Sequence, residues 1–143
     1  MAPLRIPWRA QPAHQVLVSC SEAAPWIDGL GGFLGLRGVH LRQAFDAPAS
    51  LRLLQREGFD LAIISEPLPP LSGLSVLREI RALRDSLPCV YVARQPTGRT
   101  LRLALELDAF SVVNQPVQLH VVADVVTRIY RKRWNLGMDE SAV

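Results

Sequence analysis

Short apolar runs alternate along the chain with longer segments in which apolar residues recur at the helical period. Three runs are rich in β-branched residues and end at small or polar ones, at residues 15–20, 61–65 and 89–93. Runs that are apolar on both faces are typical of central strands in a parallel sheet. Residues 38–45 and 110–114 supply two weaker strands.

Five segments have helical periodicity, at residues 25–37, 50–56, 72–84, 97–107 and 118–134. Ser72 and Thr97 are suitable N-cap residues for the third and fourth helices, and Gly58 follows the second. Strand and helix alternate five times. This order predicts an α/β domain with parallel strands and helices on both faces of the sheet.

The length of 143 residues and the 49% of hydrophobic residues fit one domain, placed at residues 15–134. Residues 1–14 contain Pro3, Pro7 and Pro12 without an apolar signal core, so an extended arm is predicted. The polar residues 135–143 predict a disordered tail. Since no apolar run reaches about 18 residues, no transmembrane segment is expected.

Cysteine content and charge place the chain in a broad class. Cys20 and Cys89 fall in different predicted strands, which favours buried, reduced thiols in a cytoplasmic protein. The formal net charge is only +3, and Lys132 is the only lysine. A basic balance of this size describes solubility more than function.

The first predicted helix is rich in glycine, with Gly29, Gly31, Gly32 and Gly35. Each glycine costs about 1 kcal/mol against alanine in a helix interior. One interpretation is a frayed or kinked helix held by its apolar residues, and the other is a small-residue face that a partner approaches closely. The glycine spacing does not match a dinucleotide fingerprint, so no nucleotide site is expected here.

Residues 60–80, with Pro69 and Gly73, resemble the third strand, loop and third helix of bacterial response-regulator receiver domains. Residues 104–116 are similar to the end of the fourth helix, the fifth strand and the Lys-Pro that closes it in that family. The resemblance covers residues 15–134. It implies a flavodoxin-like, CheY-like (βα)5 fold with a doubly wound parallel sheet of strand order 2-1-3-4-5.

A working receiver, by this resemblance, needs an acidic pair that holds Mg²⁺, an Asp that accepts the phosphoryl group, a hydroxyl residue and a Lys. The spacing of the strand ends maps these positions to Cys20, Ser21, Ser65, Ala93 and Gln115. All five are substituted, and Mg²⁺ prefers anionic oxygens. We therefore expect no phosphorylation chemistry, no metal, no cofactor and no enzymatic activity.

Two residues at the end of the third predicted strand could provide a weaker switch. Ser65 could itself be phosphorylated, but the sequence places no base or lysine beside it. Glu66 could mimic a phosphoryl charge, yet it lies one residue beyond the strand end, so a solvated loop glutamate is expected. The aromatic switch residue of the family maps to Val112. The resemblance thus implies a fixed conformation, with a cis bond between Gln115 and Pro116.

Receivers usually contact partners through the fourth helix, fifth strand and fifth helix. In the fourth helix, Leu101, Ala104 and Leu105 are expected to face the core, while Leu103 and Leu107 lean elsewhere. The last helix carries a wide apolar stripe, consisting of Leu119, Val121, Val122, Val125, Val126, Ile129 and Tyr130. The stripe predicts either a second contact, such as a homodimer or a partner helix, or a well-buried final helix.

The sequence therefore predicts a phosphorylation-independent protein–protein interaction module, a pseudo-receiver that serves as scaffold or regulator in a bacterial signalling or localisation system. Its predicted partner-binding residues are Leu103, Leu107, Val112, Val122, Val125, Val126, Ile129 and Tyr130. One alternative is nucleic-acid binding by Arg128, Arg131, Lys132 and Arg133 at the helix end, although a solvated end is the plainer interpretation. Another is a small enzyme, if Cys20 lies beside a base.

Overall fold

The computed structural model describes residues 13–134, in which five strands and five helices alternate. The strands are β1 (Gln15–Ser19), β2 (His40–Ala44), β3 (Leu61–Ser65), β4 (Cys89–Ala93) and β5 (Ser111–Asn114). The helices are α1 (Pro25–Gly35), α2 (Ala47–Arg56), α3 (Gly73–Leu83), α4 (Gly98–Glu106) and α5 (Leu119–Trp134). The predicted arm, apart from Ala13 and His14, and the predicted tail lie outside the described residues.

The five strands form one parallel sheet in the order β2-β1-β3-β4-β5. This confirms the predicted strand order. The register sets Ser19 opposite Ala44 and Ile64, and Ser65 opposite Val92, so the strands end at one edge. The order reverses between β1 and β3, and in open α/β sheets the crevice at this edge is the usual place for a functional site.

Two hydrophobic cores cover the two faces of the sheet. Val16 and Val18 of β1 belong to the core under α1 and α5, whereas Leu17 points into the core under α2, α3 and α4. Every residue of β1, β3 and β4 is buried. Burial on both faces is the physical reason for the continuous apolar runs in the sequence.

The helix starts follow local capping chemistry. The side chains of Ser72 and Thr97 accept hydrogen bonds from Ser75 N and Thr100 N, both at 3.1 Å, which confirms the two predicted N-caps. The predicted start of the second helix at residue 50 was wrong. Asp46 caps it by accepting from Ala49 N at 2.8 Å, and Pro48 lies in the first turn, where its missing N–H costs nothing.

Helix α1 is continuous over its eleven residues, and Ile27, Leu30 and Leu34 bury its inner face. Gly29 faces α5, where a Cβ atom would lie 2.7 Å from Leu119 Cδ2. The other three glycines of this helix have open space around the Cβ position. Close approach at Gly29 therefore serves packing within the chain.

The wide apolar stripe of α5 lies in the core. Five residues that were predicted to bind a partner are at most 3% exposed, namely Val122, Val125, Val126, Ile129 and Tyr130. Helix α5 packs against both β5 and α1, so it needs a wider apolar stripe than contact with the sheet alone requires. This burial supports the well-buried final helix, and the assignment of these five residues to a binding surface was wrong for this conformation.

The predicted orientation of α4 was also wrong. Leu101 and Leu105, expected in the core, are 44% and 52% exposed. Leu103, expected at the surface, is half-buried, as is Leu107. Ala104 is the fully buried residue of this helix, so a small side chain marks the inward direction and the leucines do not. Within residues 13–134, no helix is long and apolar enough to cross a membrane.

Candidate functional site at the carboxyl edge of the sheet

A cavity of about 330 Å³ lies at the carboxyl edge, between the ends of β1 and β3 and the β5–α5 loop. Its lining includes Cys20, Ser21, Ser65 and Gln115. Four of the five substituted positions therefore meet in one cavity. The fifth, Ala93, lines a neighbouring cavity of about 290 Å³.

Neutral hydrogen bonds close the β1 side of the cavity. Cys20 Sγ donates to the backbone oxygen of Glu22 at 3.3 Å. Gln43 Nε2 donates to the backbone oxygens of Cys20 and Glu22, both at 3.0 Å. The Cys20 thiol thus hydrogen-bonds to a backbone carbonyl and not to a basic side chain.

The β3 and β5 ends meet through an amide. Ser65 is 2% exposed, and Gln115 Nε2 lies 3.4 Å from its hydroxyl oxygen. The same Nε2 donates to the backbone oxygen of Glu66 at 2.8 Å. The predicted cis bond between Gln115 and Pro116 is present. This arrangement links two strand ends without placing a charge between them.

Glu66 is not the solvated loop glutamate that its position in the sequence indicated. Its Oε1 accepts from Gly73 N at 2.8 Å, and its Oε2 accepts from the Tyr91 hydroxyl at 2.5 Å. Burial raises the pKa of the Tyr91 hydroxyl, and the hydrogen bond to Glu66 raises this pKa further. Alternation along β3 turns Glu66 away from Ser65 and toward α3 and β4, which sequence reasoning had not anticipated.

The donors at this edge do not fit Mg²⁺. A hard cation prefers several carboxylate or carbonyl oxygens, whereas the β1 and β3 ends present a thiol and two hydroxyls. Glu22 is exposed, and both oxygens of Glu66 are engaged. In the described part of the chain, no group of three or more His, Cys, Asp or Glu side chains is arranged to hold a metal.

An exposed apolar pair lies on α4, apart from the cavity. Leu101 and Leu105 are one turn apart and share one side of the helix. The exposed charged residues Arg99, Arg102 and Glu106 flank them. Of the other predicted partner-binding residues, Leu107 and Val112 are half-buried against the core.

All four basic residues at the end of α5 are exposed, and two of them make polar contacts within the chain. Arg128 pairs with Asp124 at 3.3 Å, and Arg133 donates to the backbone oxygen of Ser86 at 3.0 Å. Tyr130 is buried, and its hydroxyl donates to Asp60 Oδ2 at 2.6 Å. The burial of Tyr130 leaves it unable to stack on a base, which removes one feature of the nucleic-acid alternative, whereas the four cations remain exposed.

Solved structures of similar fold identify the architecture. A CheY-like receiver domain protein from Methanospirillum hungatei superposes with a TM-score of 0.74 at 18% identity, over 86% of this chain and 98% of that chain. The chain has the fold of a CheY-like receiver domain. A two-component response regulator from Clostridium difficile superposes with a TM-score of 0.75 at 20% identity, over 86% of this chain and 99% of that chain.

The receiver fold agrees with the sequence comparisons. The chain is 29% identical over 114 residues to sensory transduction protein RegX3 of Mycobacterium tuberculosis, which covers 80% of this chain and 48% of that protein. The receiver-like chain thus spans about half the length of the RegX3 proteins it matches. No protein-family model matches it.

Proposed function

We propose that this receiver-like chain is a phosphorylation-independent protein interaction module, a pseudo-receiver that acts as scaffold or regulator in bacterial signalling. The observation that carries the proposal is the neutral contact between Ser65 and Gln115 at the carboxyl edge. Phosphoryl transfer to an aspartate needs a nucleophilic carboxylate, a metal ion and a cation near the developing charge. Ser65 and Gln115 supply neither a carboxylate nor a cation, and the charged residues that also line the cavity, Glu22, Glu66 and Arg94, each lie one residue beyond a mapped receiver position.

Phosphorylation of Ser65 is not favoured. Its hydroxyl is 2% exposed and lies beside the Gln115 amide, which cannot act as a general base. A kinase would have to open the carboxyl edge before it could reach the oxygen. The burial of Ser65 therefore supports a module whose interactions do not depend on phosphorylation.

The α4 surface, defined as Leu101, Leu105 and the flanking Arg99, Arg102 and Glu106, supplies the proposed binding site. The two leucines expose apolar area that no other part of the described chain covers. Adjacent apolar and arginine side chains are typical of contact surfaces between proteins. Like the surface predicted from the sequence, the proposed surface includes the fourth helix. It is centred on α4, whereas the predicted surface was centred on α5.

The α4 surface is complementary to itself, which makes a second copy of this chain its proposed partner. In an antiparallel pair of α4 helices, Leu101 of each copy meets Leu105 of the other. A two-fold interface requires such reciprocal pairs. The self-complementarity supports a homodimer through this face.

Sedimentation velocity of the wild type and of Leu101→Glu and Leu105→Glu tests this function. We expect a wild-type dimer at micromolar concentration and a dissociation constant raised about tenfold or more in both variants. Leu36→Glu is the matched control, because Leu36 is 87% exposed at the end of α1. A wild-type monomer, or equal weakening by Leu36→Glu, would contradict the proposed interface.

A further inference from the structure

Strand β2 has one free side. It lies at the end of the strand order and, within the described residues, pairs only with β1. Its two ends bond to β1 and the residues that flank it through His40 N and Ala44 O, at 3.0 and 2.9 Å. Because the backbone groups of successive residues alternate sides along a strand, Arg42 also faces β1. The N–H and C=O groups of Leu41 and Gln43 therefore point away from the sheet.

This free edge lacks the usual protection of edge strands. The outward backbone groups of Leu41 and Gln43 have no hydrogen-bond partner in the part of the chain that the structure describes. Natural edges are often blunted by proline, a bulge or a charged side chain. Strand β2 contains no proline and pairs with β1 over five consecutive residues, and its Arg42 is held by Glu57 at 2.6 Å. The edge is open to one more strand.

A groove of about 420 Å³ lies beside this edge, between the end of β2 and α2. Gln43 belongs to both the edge and the groove, and α2 contributes Arg52, Leu53 and Arg56. Both arginines are exposed, and neither forms an ion pair within residues 13–134. The carboxylate that lines the groove, Asp46, already caps α2. The groove therefore has a net positive charge.

We propose that the free edge of β2 and this groove bind an extended acidic segment of a partner protein, which adds to the sheet as a sixth strand. In strand addition, main-chain hydrogen bonds supply affinity, and contacts to alternate side chains supply specificity. Leu41 and Gln43 provide the main-chain groups. Side chains on the α2 side of the added strand lie near Arg52 and Arg56, and carboxylates complement these two charges.

Like charge disfavours a second copy of this chain at the same edge. In an antiparallel, two-fold pairing of two β2 strands, both α2 helices lie on the same face of the joined sheet. Arg52 and Arg56 of the two copies would then line one junction, where like charges oppose association. An acidic partner replaces this repulsion with attraction.

The β2 site is separate from the α4 surface. Strands β2 and β5 are the opposite edges of the sheet, and α4 packs beside β5. The inference therefore goes beyond the proposed homodimer and does not depend on it.

Fluorescence anisotropy of a labelled peptide of alternating valine and glutamate tests the site. We expect the peptide to bind the wild type, and Arg52→Glu/Arg56→Glu to raise its dissociation constant about tenfold or more. Arg128→Glu/Lys132→Glu is the matched control, because it makes the same charge change at the same spacing on α5, where both residues are exposed. The control should stay within about twofold of the wild type. No binding to the wild type, or equal weakening in the control, would overturn the proposal.

A peptide with methylated backbone nitrogens distinguishes an added strand from charge attraction alone. It keeps the carboxylates but cannot donate main-chain hydrogen bonds, so it should bind about tenfold or more weakly. Equal affinity of the two peptides would overturn strand addition.

Amide hydrogen exchange of the wild type locates the added strand. The unmethylated peptide should slow exchange at Leu41 and Gln43 about tenfold or more, and leave His40, whose N–H is already bonded, unchanged. Leu41 and Gln43 amides that the peptide leaves unprotected would overturn the proposal. So would amides that are protected before the peptide is added, because another segment or copy would then occupy the edge. A monomeric wild type that binds the peptide at β2 would overturn the homodimer and leave this site standing.

Discussion

The side-chain nitrogen of Gln115 lies 3.4 Å from the hydroxyl oxygen of Ser65, across the ends of β5 and β3. The resemblance to receivers places an aspartate and a lysine at these two positions. Loss of either charge alone would leave the other buried without compensation, which costs several kcal/mol. A serine and a glutamine together leave no charge to compensate, so the neutral pair is stable as a unit.

The first prediction follows from this pairing. Ser65→Asp should lower the free energy of unfolding by about 3 kcal/mol at pH 7, because it places a carboxylate at a buried position beside the neutral Gln115 amide. The double variant Ser65→Asp/Gln115→Lys should recover most of that loss. Urea unfolding measures both, with Ser65→Asn as the neutral control. Equal stability of Ser65→Asp and Ser65→Asn would contradict a buried, neutral contact between Ser65 and Gln115.

A second prediction concerns the stripe on α5. Ile129→Ala should cost about 2–5 kcal/mol of unfolding free energy, because Ile129 is fully buried under α1 and the sheet. Val121→Ala, on the same helix but 37% exposed, should stay within about 0.5 kcal/mol of the wild type. Chemical denaturation measures both. A small effect at Ile129 would mean that the stripe faces solvent or a partner.

Helices α4 and α5 show which parts of the fold the sequence could predict. The alternation of strands and helices and the receiver resemblance were sufficient to predict the order of the strands. The strands themselves were recognisable because burial on both faces gives an unbroken apolar run. They were insufficient for the orientation of α4, whose inward residue is Ala104. A small buried residue gives a weak periodic signal. The breadth of the α5 stripe had two explanations, and only the packing of α1 distinguished them.

The role of Glu66 was hidden for a related reason. Its position in the sequence, directly after a strand, is typical of a solvated loop. The contacts that bury its carboxylate come from Gly73 and from Tyr91 in the next strand. Pairings of this kind depend on the distance between loops, which the hydrophobic pattern does not specify.

The third prediction uses the glycines of α1. Gly32→Ala should raise the free energy of unfolding by about 0.5–1 kcal/mol, because its Cβ meets open space and alanine favours the helix. Gly29→Ala should gain less or lose stability, because its Cβ lies 2.7 Å from Leu119 Cδ2. Thermal unfolding of the two variants compares them. An equal gain would show that α1 and α5 do not pack closely at Gly29.

The fourth prediction concerns pH. A hydrogen bond from Gln15 and an ion pair with Arg42 at 2.6 Å lower the pKa of Glu57 below its usual 4.5. A lowered carboxyl pKa stabilises the fold above the unfolded value, and this contribution is lost as the pH falls through the folded value. The stability difference between the wild type and Glu57→Gln should therefore be constant above pH 5 and shrink below about pH 4.5. A constant difference down to pH 3 would contradict the ion pair.

The central claim is that this receiver-like chain associates without phosphorylation. Sedimentation velocity of the wild type, with and without acetyl phosphate and Mg²⁺, tests it most directly. We predict the same dimer in both conditions, because Ser65 and Gln115 offer no phosphoacceptor carboxylate and no neutralising cation. A monomer that becomes a dimer only after treatment with acetyl phosphate and Mg²⁺ would contradict the account.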